Sequence, residues 1–219
     1  LAQQVAKQLF KFTKYSDKIF TESVYGGEHI ERQMIALRRT THIVVATPGR
    51  LIDLVQRKAV DLSAVKTVVL DVADEMLSMG FKKELDEILS FLPAVENKWL
   101  FSATIPHGIQ EIISEHLAED ALRIEVKHGD IVNNKISHQY VICEDSDKLY
   151  ALQQFLKSEQ ENRGVIFCKT KAAAKRLSLQ LIAKNIATDA IHGDLLQKER
   201  DKVMRAFKNE SLRVLVATD

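Results

Sequence analysis

His42-Ile43-Val44-Val45-Ala46, running straight into Thr47-Pro48-Gly49-Arg50-Leu51-Ile52, is the stretch on which the fold turns. The β-branched run reads as a buried strand. Thr47 then stands as an N-cap, with Pro48 at the first helical position, where its missing N–H costs nothing. A strand that passes directly into a helix, with polar residues at the junction, is half of a parallel β–α–β unit.

The same alternation extends outward on both sides. Lys66 to Leu70 predicts a second strand, and Lys82 to Leu92 a helix with Leu85, Ile88, Leu89 and Leu92 on one face. Trp99 to Phe101 predicts a third strand, Pro106 to Leu117 a helix, and Leu122 to Val126 a fourth strand. Residues 127–134 (Lys-His-Gly-Asp-Ile-Val-Asn-Asn) lose the pattern and predict a linker. Strands are then expected at Ser137 to Ile142, Val165 to Cys168, Thr188 to Ile191 and Arg213 to Val216. Helices are expected at Lys148 to Leu156, Lys171 to Lys184 and Gln197 to Phe207. The expectation is two α/β domains, 1–126 and 135–219, each with a parallel sheet covered on both faces. Trp99 and the phenylalanines follow core periodicity and are expected to pack inside.

Composition excludes more than it selects. A hydrophobic share of 46% fills cores of this size, and no apolar run approaches the roughly 20 residues that span a bilayer. Nothing resembles a secretory leader, and Leu1 begins inside a helical pattern, so a longer natural chain is expected. Cys143 and Cys168 lack CxxC spacing and the seven histidines lack metal spacing, which argues against a disulfide framework or a zinc site and suits a reducing cytoplasm. With a net charge of +1, any nucleic-acid surface must be local.

Ligands of open α/β sheets bind beyond the carboxyl ends of the strands. Those positions carry Thr47-Pro48-Gly49-Arg50, Asp71, Ser102-Ala103-Thr104, Lys169-Thr170, His192-Gly193-Asp194 and Thr218-Asp219. Hydroxyls, small residues and cations at helix N-termini suit phosphates. A strand-tip carboxylate such as Asp71 serves as a Mg²⁺ ligand, as a phosphoacceptor or as a cap, and spacing alone leaves these open.

The ordered set resembles the DEAD-box family of ATP-dependent RNA helicases. Asp71-Val72-Ala73-Asp74 resembles the DEAD motif, Thr47-Pro48-Gly49-Arg50 the TPGR motif and Ser102-Ala103-Thr104 the SAT motif. Leu1-Ala2-Gln3-Gln4 is similar to the tail of PTRELA, and Gly26-Gly27 to the GG motif. In the second half Val165 to Thr170 resembles motif IV, His192-Gly193-Asp194 with Gln197 and Arg200 resembles HGD…QxxR, and Ala217-Thr218-Asp219 opens the ATDVAARG motif.

That resemblance implies two RecA-like domains that clamp ATP, Mg²⁺ and single-stranded RNA, gripping sugar and phosphate and largely ignoring base identity. It implies RNA-backbone contacts at Gly27, Thr47, Pro48, Gly49, Arg50, Thr170, Gln197, Arg200 and Thr218. It implies a water-mediated Mg²⁺ role for Asp71, and coupling of the ATP and RNA sites through Asp74, Ser102, Ala103 and Thr104. A cytoplasmic monomer is expected. Val72 stands where the family has the glutamate that polarises the attacking water, and loss of such a base costs roughly 10²–10⁴ in rate. The family's phosphate-binding loop and its arginine-finger segment are not among these residues, so this chain alone is expected not to turn over ATP. The rival readings are a non-catalytic RNA- or partner-binding clamp and, more remotely, a receiver-like module built on Asp71. The second leaves the SAT and QxxR matches unexplained.

Overall fold

The computed structural model describes residues 1–126, 136–159 and 161–218. The expected linker lies outside them, as does Asp219. The chain divides into two compact units, Leu1–Glu125 and Val126–Asp219.

In the first unit α1 (Ala2–Thr13) leads into β1 (Thr21–Val24), α2 (Ile30–Leu37), β2 (Ile43–Ala46) and α3 (Pro48–Gln56). Then follow β3 (Thr67–Leu70), α4 (Ala73–Ser78), α5 (Lys82–Ser90), β4 (Asn97–Leu100) and α6 (His107–His116). All pairing is parallel: β1 lies on β2, with Val24 opposite Ala46, and β3 lies on β4, with Leu70 opposite Leu100. The single sheet expected from the alternation is, among the described residues, two sheets of two strands. Leu70, Leu85 and Ile112 form a core between β3 and the helices α5 and α6, with Val68, Met76, Leu77 and Leu100 packed around it.

The second unit runs α7 (Lys148–Ser158), β5 (Gly164–Phe167), α8 (Lys171–Ile182), β6 (Thr188–Ile191), α9 (Gln197–Lys208) and β7 (Val214–Ala217). Its strands are ordered β5-β7-β6, all parallel. The central strand, Val-Leu-Val-Ala, is buried at every residue, as a strand covered on both faces must be. Leu181, Val214 and Val216 are completely buried, each worth about 1.5–3 kcal/mol in apolar area removed from water. Arg213, just before β7, closes the end of α7. Its Nη2 donates to the carbonyls of Leu156 (2.5 Å) and Glu159 (2.7 Å), and its Nε to that of Asn162 (3.1 Å). Helix C-terminal carbonyls have no partners within the helix, so a guanidinium there answers both their hydrogen bonds and their negative dipole end.

Two expected strands are absent from the described residues. Leu122 to Val126 and Ser137 to Ile142 form no ladder, and Leu122, Ile124, Tyr140 and Ile142 are each more than four-fifths exposed. A β-branched run becomes a strand only where a neighbour offers its hydrogen-bonding edge, and none of the described strands does so here. The aromatic expectation also fails. Trp99 is 57% exposed, Phe101 52% and Phe167 69%, because one side of their strands has no cover among the described residues.

Candidate nucleic-acid interface

The tips of β3 and β4 are tied together. Phe101 N donates to the Leu70 carbonyl (2.8 Å), and Ala73 N to the Phe101 carbonyl (3.0 Å). Beyond them the Asp74 carboxylate accepts the backbone N–H of Thr104 (2.9 Å) and its hydroxyl (2.8 Å). Ser102 Oγ accepts from Asp74 N (3.2 Å) and donates to the Thr104 carbonyl (2.6 Å). The hydroxyl of Thr104, aided by its backbone N–H and by the Ser102 and Glu75 contacts, holds the Asp74 carboxyl below its ordinary pKa. Ala103 is exposed between these residues. Asp74 is therefore not the N-cap of α4: Val72 takes that position, in the left-handed region at φ 54° and ψ 46°. Ser102 and Thr104 do not cap α6 either, whose N-cap is Pro106. Asp71, the other acid, is exposed at the strand tip and makes no hydrogen bond or ion pair among the described residues.

A second group forms where β1 and β2 end. Thr47 is the N-cap of α3 by backbone geometry, but its side chain makes no cap hydrogen bond, so its hydroxyl is not spent on the helix. Pro48 is buried at the first helical position and Gly49 is exposed. Arg50 reaches back with Nη2 to the carbonyl of Glu28 (3.1 Å), while its Nη1 is buried with no partner among the described residues. Glu28 follows Gly26 and Gly27, both exposed, and Gly27 adopts φ 84°, a conformation that a Cβ would strain. At the near end of this turn Gln33, only 8% exposed, accepts from Tyr25 N (3.3 Å) and donates to Tyr25 O (3.0 Å). The backbone N–H groups of Gly26, Gly27 and Glu28 have no acceptor among the described residues.

In the second unit Thr170 caps α8, its Oγ1 accepting from Ala173 N (3.1 Å), and keeps its own hydroxyl proton to donate. Lys171 pairs with Asp194 (2.6 Å) across Gly193, where an added Cβ would stand 3.1 Å from Lys171 Cε. That pairing lowers the Asp194 carboxyl pKa. Arg200 Nη2 lies 3.5 Å from the His192 carbonyl, Gln197 Nε2 donates to Asp201 (2.9 Å), and Thr218 N donates to the Ile191 carbonyl (3.2 Å). His192 is buried, with Nδ1 unpartnered among the described residues.

Within the first unit the fold thus joins Asp74 to Ser102 and Thr104, and Arg50 to the Gly27 turn. Within the second, Arg200 meets the loop that starts at His192, and Thr170 stands beside the Lys171–Asp194 pair. Gln33 escapes a reading by motif. Its signal is a polar side chain on the α2 face that otherwise carries Ile30, Met34 and Leu37. Also unforeseen is the grouping of Asp86, Glu115 and His116, with His116 Nε2 2.8 Å from Asp86 Oδ1, because these helices are distant in sequence.

Known proteins resemble this chain in sequence and in fold. The sequence model "DEAD/DEAH box helicase" matches residues 1–112, and "Helicase conserved C-terminal domain" matches 147–219. The chain belongs to the DEAD/DEAH box helicase family. It is 39% identical to the DEAD-box ATP-dependent RNA helicase CshA of Bacillus cereus over 219 residues, all of this chain and 41% of that protein. It is 39% identical to the RNA helicase CrhR of Synechocystis sp. over all of this chain and 44% of that protein. The chain thus spans about two-fifths of the length of these curated relatives. Among solved structures, the DEAD box protein from the hyperthermophile Methanococcus jannaschii matches 99% of this chain and 58% of its own, with a TM-score of 0.54 and 38% identity. Dbp5 of S. cerevisiae bound to RNA and ADP BeF3 matches 99% of this chain and 55% of its own, with a TM-score of 0.84 and 26% identity. The fold is therefore RecA-like, as expected. No helix among the described residues is long and apolar enough to cross a membrane.

Proposed function

We propose that this chain is part of an ATP-dependent RNA helicase, gripping the RNA backbone through its strand-tip loops, and that Val72 leaves it defective in hydrolysis. The observation that carries the reading is the Asp74–Thr104–Ser102 network. It gives the segment between β3 and α4 a rigid connection to the segment between β4 and α6, as a relay between a nucleotide site and an RNA site requires.

In this reading the phosphate contacts are made by the Gly27 turn, Thr47, Pro48, Gly49 and Arg50 in a first domain of residues 1–126. Thr170, Gln197, Arg200 and Thr218 make them in a second domain of residues 135–219, beyond a linker at 127–134. Backbone amides and hydroxyls at helix starts recognise phosphate without reading bases. Asp71 fits a hard cation, being an exposed carboxylate with no competing partner among the described residues, whereas the Asp74 carboxylate is already engaged. Mg²⁺ there supplies charge neutralisation for the nucleotide's phosphates. Val72 has no atom that can accept a proton or orient water, so the general-base function of the family's glutamate is missing at that position.

The protein acts as a cytoplasmic monomer on this account, with weak, salt-sensitive binding of RNA. The same valine favours one second reading, a clamp that stays on RNA without catalysis. A chimera that supplies the remaining segments of the Bacillus cereus relative tests both. With Val72 its RNA-stimulated ATP turnover stays at background, and Val72→Glu raises it about 10²–10⁴-fold. Full turnover with Val72 in place contradicts the hydrolysis defect, and no turnover in either form leaves the non-catalytic clamp.

A further inference from the structure

We propose that Gln33 is a positioning residue for RNA binding: its side chain fixes the turn at Gly26-Gly27-Glu28 so that three unpaired backbone N–H groups face one phosphate group of the ligand. The proposal rests on the RNA-binding reading above and extends it to a residue that touches no ligand itself.

Gln33 is a polar group in an apolar place. It occupies the inward face of α2 and is 8% exposed, and burying an amide without partners is costly. Its two polar atoms are both spent on a single residue, Tyr25, one on the N–H and one on the carbonyl. Bonding both backbone groups of the residue that follows β1 fixes the direction in which the chain leaves the strand. Three residues further on, Arg50 Nη2 takes the Glu28 carbonyl. The turn is therefore gripped at both ends by side chains from α2 and α3, and Gly27 between them holds φ 84°.

Neither grip uses the N–H of Gly26, Gly27 or Glu28, and no other described residue accepts from them. Successive free N–H groups around a positive-φ residue form a concavity that suits an anion. Space is no obstacle, since nothing lies within 4 Å of a Cβ built on Gly26. Holding such donors in place before binding raises affinity by removing the cost of ordering them. An apolar side chain at position 33 would support α2 equally well and leave the turn loose.

Gln33→Met, which keeps the volume and removes both hydrogen bonds, separates these roles. The protein holds only eight glycines, so the amide signals of Gly26, Gly27 and Gly193 are separable by NMR. In the unaltered protein, a short oligouridylate shifts the Gly26 and Gly27 signals. In Gln33→Met those signals move or broaden before ligand is added, and RNA affinity falls about tenfold. The Gly193 signal and the thermal midpoint stay as they were, which shows that the fold is intact. Unchanged Gly26 and Gly27 signals in the variant overturn the proposal, as does unchanged affinity. Absence of any RNA-induced shift in the unaltered protein sinks the RNA reading instead, and the free-state glycine signals still decide whether Gln33 holds the turn. Should Gln33→Met fail to fold, Gln33→Glu keeps the acceptor and loses the donor, and the same two signals decide.

Discussion

Asp74 accepts both the backbone N–H and the hydroxyl of Thr104, residues thirty positions apart that meet where two adjacent parallel strands end. With Ser102 bridging from Asp74 N to the Thr104 carbonyl, the loop after β4 cannot shift without moving the start of α4. Asp74→Ala removes the two Thr104 contacts and keeps the helix. We expect amide exchange at Thr104 to accelerate on the order of tenfold while exchange in α5 is unchanged, measured by hydrogen exchange. No change at Thr104 would mean that the two loops are held by something else.

The same contact sets a pH dependence. Hydrogen bonds from Thr104 favour the ionised carboxylate and depress the Asp74 pKa, so folding binds fewer protons here than the unfolded chain does. The stabilisation is fully present above the unfolded value of about 3.9 and disappears as pH falls through the lower folded value. The Thr104 amide shift is therefore expected to stay flat from neutral pH down to about 4 and to titrate only below it. A transition centred above that point contradicts the assignment.

Val72 is a β-branched residue at φ 54°, where the side chain crowds its own backbone. The left-handed region costs an ordinary L-residue roughly 1–2 kcal/mol, and Asn tolerates it better. Val72→Asn is expected to stabilise the first unit by about 1 kcal/mol in denaturant unfolding. A loss of similar size would show that the packing of the valine outweighs the strain.

Arg213 supplies three hydrogen bonds to carbonyls at and after the end of α7. Arg213→Ala leaves those carbonyls without their donor, and hydrogen bonds from a charged group contribute about 1.5–3 kcal/mol. A loss of about 2–3 kcal/mol is expected in the second unit, with the stability of the first unaffected. Denaturant titration followed separately in each unit checks it.

Much of this was legible in the residues. Val44-Val45-Ala46 before Thr47-Pro48 announces both a strand end and a helix start, because side-chain bulk and the proline ring act locally. The β5, β6 and β7 segments were legible for the same reason. Leu122 to Val126 and Ser137 to Ile142 carry equally strand-like residues and form none, since a strand depends on a partner that local sequence does not reveal. The strand Thr21–Val24 was missed because Thr-Glu-Ser-Val is too polar to stand out, and its pairing with Ile43–Ala46 decides it. For the candidate site, motif order pointed to the loop residues, but the two hydrogen bonds between Asp74 and Thr104 and the grip of Gln33 on Tyr25 belong to tertiary geometry. No spacing rule contains them.

The most direct test of backbone recognition is the affinity of the protein for single-stranded RNA as a function of salt. Contacts to phosphate predict that log K falls linearly with log salt, by about 0.7 per phosphate contacted. They also predict that two unrelated RNA sequences of equal length bind alike. Binding that ignores salt, or that is confined to one sequence, would contradict it.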